Sequence, residues 1–492
     1  VVSKLTVSIQ RWVALLAFLV YDLAQIFIIG HLKVKPDSHL IIRYSFQWTT
    51  NFQLEWFWIA VLIVIPFVIS YLFAINSVRD PTMVQILGPQ SLMHRMKMEF
   101  HRGNPEGQEF TPENVQYLLE DMAVGEPDGT LENLEMLFSI GVLIEQLIEE
   151  AGVASVKRVY MSDDLAPNAF TLRVIPIPYI GSDWIIINRN VVDVLNRNEI
   201  RAVVAHEIGH AARKDSWINS ALYSPRFIII VGWSIIFAAM ANIILVDPFS
   251  TDSFLRLIAL FAFFIMVRLL MNGAHYITAY AYRKTELLAD HYAADLIGSE
   301  ILINALIKIG KRGQVIRSIN QELEWLDKKF EDIPIQHLSM RILHFFDPGE
   351  TSQKKAREFA IAYYIRAKMN QLFVGLRIEI SDEQFNSYVK EATQNVLRER
   401  GIELSEDDLN LLEPDKMQQR LQDQRRVNLE STKELDFAEI ERLVQQMKSE
   451  GENIFESEAI QQVGVLPGAQ THPHVTQRVT FLYDTLLKNK KH

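Results

Sequence analysis

Four stretches of this chain are apolar for long enough to set its architecture. Residues 12–30 carry a single charge, Asp22, and residues 56–78 and 227–246 carry none. Residues 257–282 are apolar but interrupted by Arg268, Asn272 and His275. A helix needs about 20 apolar residues to cross a bilayer. The pattern therefore predicts four spanning helices in two hairpins, within 1–79 and 224–282. The first stretch is long, contains Asp22 and lacks a small-x-small cleavage site, so it does not read as a signal peptide.

Elsewhere the period changes. Residues 79–128 are polar and punctuated by turns. Apolar side chains at helical spacing predict an amphipathic helix over 131–150. Short strands are predicted at 157–161 and 184–188, with a turn holding Pro176 and Pro178 before the second. Helices follow at 191–195 and 199–210, the latter capped by Asn198. Helical pattern then runs on to about 311, and charged helices are expected at 314–330, 353–373, 382–400 and 436–449. Ser381 and Ser405 stand where helices should start. The expected fold class is mainly α with a small β-sheet (α+β).

Composition refines this picture. The mean hydropathy of +0.06 averages apolar spans with polar blocks. There are no cysteines among the 492 residues, which excludes disulfides, thiolate-bound zinc, iron–sulfur clusters and thiol catalysis. A net charge of −11 argues against a nucleic-acid partner. Opening on Val-Val rather than Met reads as a processed or trimmed start. Arg213, Lys214 and Arg226 precede the third span, Arg283 and Lys284 follow the fourth, and Asp247 and Asp252 lie between. By the positive-inside rule the flanking regions face the cytoplasm. Lys33, Lys35 and Arg43 in the first hairpin's loop give a weaker opposite vote.

Chemistry enters at residues 205–210, Ala-His-Glu-Ile-Gly-His. Four residues apart on a helix, His206 and His210 share a face and can bind one zinc ion through imidazole nitrogens. Glu207, about 100° around the helix, can act as general base on a metal-activated water. Gly209 leaves room for a close neighbour. Glu286 is the candidate third ligand, and Asp290, four residues on, can hold a ligand imidazole in orientation. Two crossings between His210 and Glu286 return the chain to the side it left, which lets these groups meet. The cofactor expected is one Zn2+ per chain.

In combination, Pro167-Asn168-Ala169-Phe170, the 205–210 motif, Glu286-x-x-Ala289-Asp290 and Thr471-His472-Pro473 with Arg478 resemble the HtpX and CAAX prenyl protease group of integral-membrane zinc metallopeptidases. The four-span layout is closer to HtpX. The resemblance implies a gluzincin-like catalytic domain on the cytoplasmic side that cleaves membrane or misfolded proteins, a protein quality control role. It also implies that Asn168 holds substrate backbone near the metal. His472 and Arg478 would line the cleft, stabilising the tetrahedral intermediate or the active-site helices.

On this reading 80–223 is the first part of the catalytic domain, 283–300 the third-ligand helix and 469–492 its closing segment. Residues 301–468 form a helical insert, either a lid over the cleft or a brace. The strand Trp184, Ile185, Ile186, Ile187 and Asn188 is a candidate edge for pairing with an extended substrate. Asp22, Arg268 and His275 should face the bundle interior, with Asp22 and Arg268 as a pair. Partners are polypeptide substrates and the lipid bilayer, with an oligomer possible. Two alternatives stay open: a prenyl-protein processing protease, and a non-catalytic membrane scaffold with a relic zinc site.

Overall fold

The computed structural model describes residues 4–33, 43–44, 83–103, 110, 112–124, 130–162, 167–174, 181–215, 218, 251–330, 342, 352–376, 381–401, 434–450 and 473–487, with parts of 64–79 and 225–241. The fold is mainly helical with a small mixed sheet. Helix α1, Lys4–His31, is followed by a two-residue antiparallel pair, β1 (Leu32–Lys33) and β2 (Arg43–Tyr44). Strand β3 is Val84–Leu87, and helices α2, α3 and α4 are Leu92–Gly103, Pro112–Ala123 and Thr130–Ala151. Strands β4, β5 and β6 are Val156–Ser162, Ala169–Arg173 and Asp183–Asn188. Helix α5 is Arg189–Val194, α6 is Arg197–Ala212, and α7 is the short apolar Pro225–Ser234. Then come α8 (Thr251–Leu296), α9 (Ser299–Phe330), α10 (Gln353–Leu376), α11 (Asp382–Glu399), α12 (Phe437–Glu450) and α13 (Val475–Leu482).

The sheet order is β3-β4-β6-β5, with β4 and β6 parallel and the outer pairs antiparallel. This corrects the edge-strand expectation: Trp184–Asn188 is a central strand, and the edge beside it is β5. The physical reason is in the residues. Ile185 and Ile187 enter the main core under α6, while Trp184 and Ile186 pack on the other face against Ala74, Tyr160 and Val174. An unbroken apolar run belongs to a strand covered on both faces. Strands β3 and β5 were not anticipated, being short and mixed in polarity.

Helix α6 starts two residues earlier than expected, at Arg197. Its cap is Asn196, not Asn198: the Asn196 side chain accepts from the Glu199 N–H at 2.8 Å, and Glu199 accepts from the Asn196 N–H at 2.9 Å. That reciprocal box satisfies two end donors at once. Ser381 caps α11 in the same way, as expected. Ser405 lies outside the described residues.

Helix α8 runs unbroken for 46 residues, about 69 Å at 1.5 Å per residue. It carries the fourth apolar segment straight into Glu286 and Asp290. Two helices, over Lys4–Ile29 and Leu257–Leu296, are long and apolar enough to cross a membrane. The second and third expected spans lie only partly within the described residues. Asp22 is fully buried, but its partner is Arg226 (Nη1 to Oδ1, 3.1 Å), which also donates to the Met271 carbonyl of α8 at 2.8 Å. Arg268 and His275 are exposed rather than interior, because they point away from the α1–α8 contact.

The boundary expected at 301 is not a packing boundary. Leu302, Ile303, Leu306 and Ile307 of α9, and Ile440, Val444 and Met447 of α12, share one core with Ala205 and Ile208. A separate cluster joins the far half of α9 to α10 and Leu397 of α11.

Candidate metal centre

Helix α6 is buried along most of its length, so its two histidines cannot both face water. Their Nε2 atoms lie 3.2 Å apart. His206 Nε2 is 3.3 Å from Glu286 Oε2, and His210 Nε2 is 3.5 Å from Glu286 Oε1. Close approach of α8 is permitted by Gly209, where a Cβ would stand 3.1–3.2 Å from the Tyr292 side chain.

The other face of each imidazole is fixed by a carboxylate. His206 Nδ1 meets Asp290 Oδ1 at 2.9 Å, and His210 Nδ1 meets Asp215 Oδ2 at 3.0 Å. These bonds put the ring proton on Nδ1 and leave both Nε2 atoms as acceptors. The centre is thus a knot of lone pairs, two imidazole and one carboxylate, with no donor between them. Three such groups converge stably only around a cation or a proton. Ligands at about 2.0–2.1 Å in a tetrahedral zinc site stand about 3.3 Å from one another, so the donor set fits zinc in kind and spacing. A proton is the metal-free alternative. Burial and Arg478 oppose charge on His206, yet Asp290 and Glu286 outweigh them and raise its pKa to about 9.

Asp215 was not singled out in the sequence. It reaches His210 because Lys214 adopts a left-handed conformation, φ 56°, just past the end of α6 and folds the chain back on the helix. A non-glycine residue there costs on the order of 1–2 kcal/mol. Asp215 also accepts from Arg213 at 2.7 Å and from Arg11 of α1 at 2.6 Å. Arg213 further donates to the carbonyl of Thr285, next to Glu286, at 3.0 Å. Burial would raise the Asp215 pKa, but the His210 hydrogen bond and the two arginines hold it below the ordinary carboxylate range.

Arg478 grips Asp290 with two bonds, Nε to Oδ2 at 2.9 Å and Nη2 to Oδ1 at 2.5 Å. Burial again pushes the Asp290 pKa upward and is overcome by Arg478 and His206. Arg478 lines the cleft from α13 and bears on His206 through Asp290 and directly, its Nη2 standing 3.3 Å from His206 Nδ1. His472 lies outside the described residues. Asn168 is exposed at the cleft, and its carbonyl accepts from the Asn188 N–H at 2.9 Å, extending the β5–β6 pairing.

Glu207 faces the same cleft, which has a volume of about 430 Å3. The Thr171 hydroxyl of β5 bridges its Oε2 at 2.8 Å and its carbonyl at 3.0 Å. Edge strand, candidate base and candidate ligands therefore lie side by side. A family model described as Peptidase family M48 matches residues 139–486, more than half of the chain.

The chain belongs to peptidase family M48.

M48 is a family of zinc metallopeptidases, and the HtpX resemblance holds. The M48 chain is 29% identical over 133 residues to Protease HtpX homolog 1 of Sulfolobus acidocaldarius, covering 25% of this chain and 41% of that protein. It is 28% identical over 200 residues to a Protease HtpX homolog of Picrophilus torridus, 40% of this chain and 60% of that one. To Protease HtpX of Shewanella pealeana it is 29% identical over 177 residues, 34% and 58% respectively. The M48 chain thus spans 41–60% of the length of these curated relatives. No solved structure matches it significantly.

Proposed function

We propose that this M48 chain is a membrane-embedded, zinc-dependent endopeptidase that cleaves membrane or misfolded polypeptides in protein quality control. The observation that carries the reading is the convergence of His206, His210 and Glu286 at 3.2–3.5 Å beside Glu207. Bound there, zinc would lower the pKa of a water to about 7 and polarise a substrate carbonyl. Glu207, aligned by Thr171, takes the proton from the attacking water and returns it to the leaving amine. Asp290 and Asp215 keep the imidazole Nε2 lone pairs turned inward. Arg478 holds Asp290, and its positive charge at the cleft favours the oxyanion that develops at the scissile carbonyl.

Substrate binding falls to β5 in place of β6. Asn168 and Asn188 form a hydrogen-bonded pair, so in the observed register Phe170 and Leu172 also bond toward β6. Ala169 and Thr171 then present their N–H and C=O groups to the free edge, where an extended peptide can pair. Ala169→Pro removes one outward donor and no sheet bond, so the strand tolerates it. Expected is a drop of about tenfold in kcat/KM for casein-derived peptides, with zinc content unchanged. Unaltered turnover would remove β5 from substrate binding.

Membrane embedding is supported by side chains that no water-facing helix would display. Leu5, Ile9, Trp12, Leu16, Val20, Leu23 and Phe27 form an exposed apolar stripe on α1, and Phe254, Leu257, Ile258, Phe261, Phe264 and Leu269 do so on α8. Four spans follow from the apolar stretches, and a cytoplasmic site is the side that the charges flanking the second hairpin favour. Packing of α12 in the main core favours the brace reading for that part of residues 301–468.

Metal removal tests the function. The purified chain should hold one zinc and cleave casein. Stripping with a chelator should abolish cleavage, and equimolar zinc should restore it. Casein cleavage that survives complete stripping refutes the reading. Cleavage of a farnesylated peptide but not of casein would favour the prenyl-protein alternative.

A further inference from the structure

A second cavity, about 620 Å3, lies on the face of the sheet opposite α6. Its charge is one-sided: Arg79 and Arg158 line it, and no carboxylate does among the described residues. Arg158, half-buried, lies over the Trp184 ring at 4.8 Å, and its hydrogen bond is a long one, 3.4 Å to the Tyr160 hydroxyl. It makes no ion pair among the described residues. Trp184 is only 7% exposed, yet its indole N–H has no acceptor among the described residues. A guanidinium without a counter-ion and a buried donor without an acceptor are both costly unless a ligand supplies oxygen.

The opposite wall is apolar and says where that ligand comes from. Tyr71, Ile75 and Val78 belong to the end of the second apolar segment, which passes directly into Arg79. Val68, Ile69, Tyr71 and Leu72 are exposed there, the side-chain pattern of a helix leaving lipid with an aromatic at the interface. Helix α2 begins just beyond Gln90, another wall residue, and its exposed side chains are His94, Arg95, His101 and Arg102 against Glu99, with Met98 the exposed apolar one. Arginine's planar fork matches phosphate oxygens.

We infer that this cavity binds the phosphate of an anionic glycerophospholipid headgroup. Arg79 and Arg158 grip the phosphate, and Tyr71, Ile75 and Val78 pack against the glycerol and upper acyl chain. The inference rests on the membrane reading above.

Native mass spectrometry of the full chain, in micelles doped with phosphatidylglycerol or with phosphatidylcholine of the same acyl chains, tests it. One phosphatidylglycerol should be retained about thirtyfold more tightly, the preference that two interfacial basic residues provide. Arg79→Gln/Arg158→Gln should lose that preference while keeping its zinc, and Arg158→Lys should keep part of it. Equal retention of the two lipids, or an undiminished preference in the double variant, overturns the inference. Displacement by millimolar inorganic phosphate would overturn the lipid source in favour of a soluble phosphate. Alkaline carbonate extraction, run alongside, separates the premises. Release from the membrane overturns both readings, whereas retention without lipid preference overturns this one alone.

Discussion

Glu207→Gln should lose casein turnover by about a hundred- to ten-thousandfold while still holding one zinc. The two halves of that result have separate causes. Glutamine is isosteric and can still accept from the Thr171 hydroxyl, which lies 2.8 Å from Oε2, so the side chain stays in place. What it lacks is the ability to accept a proton from water. Zinc binding is untouched because the converging donors come from His206, His210 and Glu286. Metal analysis of the variant beside a turnover assay checks both halves. Cleavage at the wild-type rate would refute the general-base role, and loss of zinc would show Glu207 to be part of the metal set. The relic-scaffold alternative expects no difference between the two proteins.

Local spacing made half of this centre legible in the sequence. His206, Glu207 and His210 on one helix, and Glu286 with Asp290 on another, follow from helical geometry alone. The Asn196 cap was legible too, since Glu199 stands three residues on, whereas the same test on Asn198 finds Arg201. The groups that orient the chemistry were not legible. Thr171 is 36 residues from Glu207, and Arg11 is 204 residues from Asp215, so no periodic pattern links either pair. Asp215 is close in sequence, but only the left-handed turn at Lys214 brings it back to His210. Asp22 was recognised as a buried acid, and choosing between Arg226 and Arg268 as its partner needed the rotation of α8 about its axis. Likewise the apolar run at Trp184–Ile187 announced a strand; that β5 flanks it required the pairing itself.

The same long-range contacts make the first apolar helix part of the candidate metal centre as well as a candidate anchor. Arg11 and Asp215 are 4% and 3% exposed at their side chains and 2.6 Å apart. Helix α1 lies along α8, which bears Glu286 and Asp290, and the Arg11–Asp215–His210 chain ties it to α6 as well. Arg11→Met leaves a buried carboxylate with Arg213 as its one remaining cation among the described residues. Breaking one side of a buried pair costs about 3–5 kcal/mol. Asp215 should then turn toward Arg213 or water, and His210 loses the acceptor that keeps Nε2 pointed inward. Zinc affinity is expected to fall about 10- to 100-fold, the usual effect of removing a group that orients a ligand. Arg11→Lys should recover part of it. The double variant Arg11→Met/Asp215→Asn separates positioning from stability. It removes the unpaired charge but leaves an amide oxygen for the His210 N–H, so thermal stability and zinc affinity should both move back toward wild type. Competitive zinc titration and thermal melts of these chains read the effects out. Wild-type zinc affinity in Arg11→Met would confine α1 to anchoring. A double variant that regains stability but not affinity would show that the Asp215 charge, beyond its geometry, sets the basicity of His210.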